Sequence, residues 1–202
     1  MSEESYEKTE PRKREIVEKP LTRRAIKKSY RRKLQEVRDN AEIDSLTGLP
    51  TRGAFDRRLR EEASRLRRGG GKTTVVVLDA DKLKQINDTK GHAEGDLYLK
   101  SIAQAILAGI RREEDFAART GGDEFILLLP DTNLEGAETM WENALNPAFI
   151  KSGIAISGGA AEIDPINPLE SISRADSAMY GAKHDKDRNG ENLLYSFIDS
   201  KK

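Results

Sequence analysis

Arg119-Thr120-Gly121-Gly122-Asp123-Glu124-Phe125-Ile126-Leu127-Leu128-Leu129 is the stretch on which the reading of this chain turns. Gly121 and Gly122 favour a tight turn with exposed backbone. The run from Phe125 to Leu129 predicts the second strand of a hairpin whose first strand is residues 115–119. Asp123 and Glu124 then stand at the mouth of that hairpin. Adjacent acids on a rigid turn repel each other, and folding does not need them there. Two readings follow: a solvated turn, or a place for a divalent cation, since Mg²⁺ takes one or two carboxylates plus substrate phosphates.

A second acidic cluster favours the cation. Thr73-Thr74-Val75-Val76-Val77-Leu78 predicts a buried strand after the turn Gly69-Gly70-Gly71. It ends in Asp79-Ala80-Asp81, where the two-residue period puts both carboxylates on one face. A strand-end carboxylate beside a hairpin-turn carboxylate suits one or two metal ions held over a nucleotide. Residues 82–96 are dense in amide, acid and glycine, and an Asn with an Asp can read the edge of guanine. Asp81 reads as capping the chain's exit from the strand.

The remaining pattern predicts helices over residues 95–111, 134–145 and 168–182, the last opening at Pro168. A further helix passes through Phe55 to about Leu66, capped by residues 44–48. Strands are expected at 152–158 and 193–197. Helices following strands, together with an antiparallel hairpin, give an α+β sandwich. Trp141 and Met140 read as core or interface, His92 as structural and His184 as an exposed loop residue.

The chain has 202 residues and no cysteine, which excludes a disulfide scaffold, a thiolate metal site and a cysteine nucleophile. No apolar run approaches the roughly 18 residues that span a bilayer, and the N-terminus has no apolar signal core, so the expectation is a cytoplasmic protein without stable membrane insertion. The zero net charge hides an asymmetry: residues 1–43 carry 13 Lys and Arg against 9 Asp and Glu. Residues 1–21 read as a disordered tail. Residues 22–43 read as a basic connector or signalling helix with a narrow stripe at Ile26, Tyr30, Leu34, Val37 and Ala41. That helix could dock on its own domain, form a two-stranded coiled coil, or meet an acidic membrane or nucleic acid. With Tyr30 as its one aromatic, no nucleic-acid partner is expected. Residues 44–202 read as one domain, the one that carries both acidic clusters.

The segment from Asp79 to Asp96, the Gly121–Phe125 motif and Asp44-Ser45-Leu46-Thr47-Gly48-Leu49-Pro50-Thr51-Arg52 together resemble the GGDEF family of diguanylate cyclases. Ile154-Ala155-Ile156-Ser157-Gly158-Gly159 is similar to the family's second glycine-marked strand, and Ala175-Asp176-Ser177-Ala178-Met179-Tyr180-Gly181-Ala182-Lys183 to its last helix. The resemblance implies a ferredoxin-like, polymerase-palm sheet, mostly antiparallel and flanked by helices. It implies condensation of two GTP molecules into cyclic di-GMP with release of pyrophosphate. Each half-site of a homodimer would hold one GTP and two Mg²⁺ or Mn²⁺ ions.

By the same resemblance Asp79, Asp123 and the carbonyl of Ala80 bind metal, and Asp123 and Glu124 are the catalytic acids. Asn87 and Asp96 read guanine, and the backbone at Lys82 and Leu83 cradles phosphates. Lys183 and Arg188 contact phosphate, and Arg112 with Asp115 forms an inhibitory product site. The chain departs from the pattern in three places. Lys82-Leu83 replaces an aromatic-containing pair, the stretch between Phe125 and Ser157 lacks a hairpin, and Asp187 stands where glycine is usual before Arg188. The alternative is a catalytically weak or inactive domain that acts as a GTP or cyclic di-GMP receptor through protein contact. A mixed guanine–adenine product is a weaker possibility, opposed by Asp96.

Overall fold

The structure, a computed structural model, describes Arg23, Lys27 and residues 42–111, 113–189 and 192–197. Contacts divide the chain into Met1–Val37 and Arg38–Lys202. In the first unit Arg23 and Lys27 are described, both helical and exposed. The expected tail and most of the basic helix lie outside the described residues. Glu42 and Ile43, expected at that helix's end, are instead a bend and a bridge partner of Pro50.

In the second unit the elements run α1 (Arg52–Arg67), β1 (Thr73–Ala80), α2 (Leu83–Lys90), α3 (His92–Gly109), β2 (Phe116–Arg119), β3 (Glu124–Pro130) and α4 (Leu134–Met140). A π-helical turn (Trp141–Leu145), α5 (Asn146–Lys151), β4 (Ile156–Glu162), α6 (Pro168–Asn189) and β5 (Leu193–Ser196) follow. The five strands lie in the order β2-β3-β1-β4-β5. β1 is central and antiparallel to β3 and β4, β2 is antiparallel to β3, and β5 joins β4 in parallel. The expected mostly antiparallel sheet with flanking helices is what forms.

β1 explains the layering. Its residues alternate between faces. Val76, Leu78 and Ala80 enter one core with Leu99, Ile102 and Ile106 of α3, Trp141 and Phe149. Val75 and Val77 enter the other with Phe55 and Leu59 of α1 and Ala175 and Met179 of α6. Asp79 shares the parity of Val75 and Val77 and therefore faces the α6 side. Against that face, α6 packs backbone to backbone. A Cβ on Gly159 would lie 2.0 Å from the Ala175 carbonyl and 2.2 Å from the Met179 nitrogen, so only glycine admits the helix there.

Several local expectations are corrected. Asp44 does not cap α1; the helix starts at Arg52 behind Thr51, and Asp44 serves a turn of its own. Helix α2 has only eight residues, none fully buried, and its apolar stripe is just Leu83 and Ile86, too short to read as a helix. α3 begins at His92, not residue 95, after Gly91 breaks the path at φ 88°. Leu97 of this helix is exposed, and its neighbour Tyr98 packs inward. The helix expected over 134–145 becomes α4, a π turn and α5, with Pro147 at the start of α5 where its missing N–H is tolerated. Because α5 runs to Lys151 and Gly153 turns the chain at φ 65°, β4 begins at Ile156, four residues later than expected. α6 continues to Asn189, which places His184 on the helix, exposed and edge-on to Tyr180. Between α4 and β4 the chain holds helices and no strand, as the missing hairpin implied. Among the described residues no helix is long and apolar enough to cross a membrane.

Candidate active site

Strand register assembles the acidic edge. Asp79, at the end of β1, lies opposite Glu124 of β3 and Ser157 of β4. The Ala80 N–H donates to the Asp123 carbonyl at 2.9 Å, tying the exit of β1 to the hairpin turn. The turn closes where the Thr120 N–H donates to the Glu124 carbonyl at 3.0 Å. Glu124 is thus the first residue of β3, and Asp123 is the turn acid. Gly121 leaves room for the Glu124 side chain, whose Oε2 would lie 2.6 Å from a Cβ there, whereas a Cβ on Gly122 would meet open space.

Lys183 completes this edge from α6. It follows Ala175 and Met179 at helical steps of four, on the stripe that faces the sheet. Its Nζ donates to Asp79 Oδ1 at 2.7 Å, with 13% of the Asp79 side chain exposed. Burial, and then the charges of Asp123 and Asp81, hold the Asp79 carboxyl above its ordinary pKa, and the lysine offsets only part of that. Burial works against the charge of Lys183, yet the Asp79 hydrogen bond and the nearby carboxylates hold its pKa above the ordinary lysine value. Asp81 is tied to β4 by the Ser157 hydroxyl at 2.9 Å, in keeping with a role at the strand's exit.

The segment after β1 is pinned by a residue that sequence reasoning passed over. The Tyr98 hydroxyl lies 3.1 Å from the Asp81 carbonyl and accepts from the Ala155 N–H at 2.9 Å. A tyrosine within the apolar spacing of α3 was the available signal. Lys82 adopts a left-handed conformation at φ 68°, and α2 starts at Leu83 without a side-chain cap. The first N–H groups of a helix have no intrahelical partner, so this start offers donors to an anion. Leu83 packs against the core. Asn87 lies over Gly95, where a Cβ would be 1.9 Å from its Oδ1. Asp96, the next residue of α3, is exposed. The α2–α3 pair therefore seats Asn87 against the residue that precedes Asp96.

The loop before α1 is anchored to the same hairpin. Asp44 Oδ1 accepts from the Thr47 N–H at 2.9 Å and from Arg119 at 3.2 Å, and Arg119 also donates to the Gly122 carbonyl at 2.6 Å. Burial works against the Asp44 charge, but the bonds from Thr47 and Arg119 outweigh it and lower its pKa. Arg119 is thus a positioning residue for the acidic turn.

Of the expected product site, Asp115 is the described half. Arg112 lies outside the described residues. Asp115 is not a free acceptor: its side chain is fully buried and takes the Arg111 guanidinium at 2.6 Å and the Arg111 N–H at 2.8 Å. Arg111 also donates to the Pro130 carbonyl and to Thr132. A guanine taking Asp115 would have to displace this neighbour. Arg188 falls within α6, and its side chain lies outside the described residues.

The acidic edge is open at Gly122, Glu124 and Asp96, all exposed. Two hollows in the surface lie elsewhere: one of about 550 Å³ beside Lys82, bordered by Ile150 and Asn192, and one of about 630 Å³ between α1 and the start of α6. Neither is lined by Asp79 or Asp123. Among the described residues no three His, Cys, Asp or Glu side chains gather as a cage. The donor set at the end of β1 is two aspartates and a carbonyl, hard oxygens that suit Mg²⁺ when phosphates supply the rest. The crowded negative charge at Asp79, answered here by an ammonium, fits the same cation.

Residues 41–189 match the family model described as Diguanylate cyclase, GGDEF domain. The chain belongs to this family. This GGDEF domain is 39% identical over 165 residues to the diguanylate cyclase DgcP of Pseudomonas aeruginosa, covering 77% of this chain and 24% of that protein. It is 34% identical over 155 residues to the diguanylate cyclase DgcS of Shewanella oneidensis, covering 74% of this chain and 52% of that protein. The crystal structure of the coiled coil and GGDEF domain of DgcB from Caulobacter crescentus in complex with c-di-GMP matches with a TM-score of 0.69 at 30% identity, covering 86% of this chain and 94% of that one. The GGDEF domain here thus spans about a quarter and about half of the two curated relatives' lengths. Its sheet is the palm-like sheet of nucleotidyl cyclases, as the resemblance implied.

Proposed function

We propose that this GGDEF domain condenses two GTP molecules into cyclic di-GMP, working as a homodimer in the cytoplasm with one GTP held by each copy. The observation that carries the reading is the convergence of Asp79, Ala80, Asp123 and Lys183, made by strand register and the Ala80–Asp123 hydrogen bond. Asp79, Asp123 and the Ala80 carbonyl would hold one or two Mg²⁺ or Mn²⁺ ions, whose charge supports the attacking and leaving oxygens of phosphoryl transfer.

Asn87 and Asp96 grip guanine, the acid accepting from the ring N–H and amine. The N-terminus of α2, entered through Lys82 and Leu83, receives phosphate on its N–H groups. Lys183 and Arg188 take the terminal phosphates. Glu124, at the open edge, orients the 3′-hydroxyl and draws off its proton. The oxygen then bonds to the α-phosphorus of the partner's GTP, and the bond to pyrophosphate breaks. Two such steps, one from each copy, close the ring. Product feedback through Arg112 and Asp115 belongs to this proposal, and requires Arg111 to release Asp115.

The test is product analysis after incubation with GTP and Mg²⁺ or Mn²⁺. The wild type yields cyclic di-GMP. Asp123→Asn keeps its fold by circular dichroism and loses about a thousandfold in rate, some 4 kcal/mol of barrier. Wild-type protein that binds GTP yet forms no product at high concentration would overturn the cyclase reading in favour of a receptor.

A further inference from the structure

The terminal ammonium of Lys183 already occupies Asp79, the carboxylate that the proposed chemistry assigns to a cation. The contact is a charge-assisted hydrogen bond of 2.7 Å between groups 104 residues apart in the chain. It is not an incidental surface pair. α6 is fixed against β4 by the backbone approach at Gly159, and Lys183 sits one turn beyond Met179 on the same buried stripe. Asp81 and Asp123 add their charges, so several carboxylates share one ammonium. The amine end is also movable. The Lys183 side chain is 44% exposed, against 13% for Asp79, and a four-carbon stem can swing without disturbing the helix.

We infer that Lys183 is a resident counter-ion at the end of β1, and that it exchanges Asp79 for the terminal phosphates of the nucleotide when a divalent cation takes the carboxylate. The inference rests on the reading of Asp79 and Asp123 as cation-holding groups. One carboxylate cannot serve an ammonium and a divalent ion together without strong repulsion between the two cations. A triphosphate arriving with the ion gives the displaced ammonium a new partner within reach. Cation and nucleotide then bind with mutual help, because each removes a penalty on the other. An empty site, in turn, holds its fold without a metal and has low affinity for the free ion.

The experiment measures Mn²⁺ alone, counting free ion by its electron paramagnetic resonance signal, on wild type, Lys183→Met and Lys183→Gln. Thermal melts confirm that each is folded. Removal of the ammonium should tighten Mn²⁺ binding in the absence of nucleotide by about tenfold. It should also shrink the gain in GTP affinity that Mn²⁺ brings, measured by calorimetry with and without the ion. Mn²⁺ affinity unchanged or weakened in both lysine variants overturns the exchange. A double variant, Asp79→Asn with Lys183→Met, should lose the added affinity. If it binds Mn²⁺ as tightly as Lys183→Met alone, the assignment of the cation to Asp79 fails, and the exchange fails with it.

Discussion

The two ends of β1 carry similar carboxylates under opposite conditions. At the first end Glu62 of α1 is 2% exposed and fully answered. Arg65 reaches it through Nε at 3.0 Å and through its terminal nitrogen at 2.7 Å, and the Thr73 hydroxyl donates to it. Burial works against its charge, but those hydrogen bonds win and its pKa falls below the ordinary glutamate value. At the other end Asp79 accepts from Lys183 alone among the described residues, burial and two acidic neighbours work against its charge, and its pKa rises. The first end shows a buried charge used to join α1, β1 and, through Asp131, the end of β3. The second shows charge gathered beyond what folding rewards, which is how a binding site differs from a structural ion pair.

Neutralising each carboxylate in turn separates the two cases. The largest effect belongs to Asp79→Asn. Cyclic di-GMP formation should fall about a thousandfold, while the melting temperature holds or rises, since ionised Asp79 is the form that folding disfavours. A melting temperature well below wild type would mean that Asp79 is a structural pair like Glu62. Next is Glu62→Gln, which strips charge from a buried network and should cost about 2–3 kcal/mol, or roughly 5–10 °C in Tm. Its turnover per folded molecule should stay near wild type, and a lost rate at full folding would break the contrast.

Gly95→Ala sharpens the contrast inside the site. Its Cβ would strike the movable amide of Asn87, 1.9 Å away, and press on the end of the Leu83 side chain at 3.3 Å, both flexible, and alanine suits a helix better than glycine. Stability should hold while the KM for GTP rises about tenfold. An unchanged KM would remove Asn87 from the guanine site. The smallest effect is in the acid limb of stability. Glu62, with its lowered pKa, contributes stability above the ordinary value of 4.5 that is lost as pH falls through its folded pKa. Asp79, with its raised pKa, contributes below 3.8 and loses that contribution as pH rises through its folded value. Urea titrations between pH 3 and 6 should therefore show a flatter pH dependence for Glu62→Gln and a steeper one for Asp79→Asn. Parallel curves for both would contradict the opposite shifts.

What was legible in the sequence follows from range. The β1 run and the hairpin after Gly121-Gly122 carry their own periodicity, so the sheet's centre and both metal-binding candidates could be read locally. α2 could not, because eight residues that half-bury two apolar side chains leave too short a stripe. β4 was displaced by the helical turn at Trp141–Leu145 and the short helix after it, whose register no local pattern announces. The Lys183–Asp79 contact was out of reach because it joins segments 104 residues apart. Parity does account for it afterwards: Asp79 shares a face with Val77, and Lys183 shares a stripe with Met179. The Arg111–Asp115 pair, by contrast, lies within local reach, since the two residues are four apart in the chain.

The bare-backbone seat of α6 on Gly159 has a mechanical meaning. It acts as a fulcrum, and Lys183 stands four residues past Met179, a lever arm of about 6 Å at 1.5 Å per residue. Rocking the helix by about 5° on that pivot would carry the root of the lysine through only about 0.5 Å, near the tolerance a reacting centre can accept. A side chain at the pivot could repack and let the helix drift, whereas peptide against peptide has nothing to compress. Thermal rocking of α6 is thus spent at its far ends, and the root of the lysine stays in place while its amine is free to choose between partners.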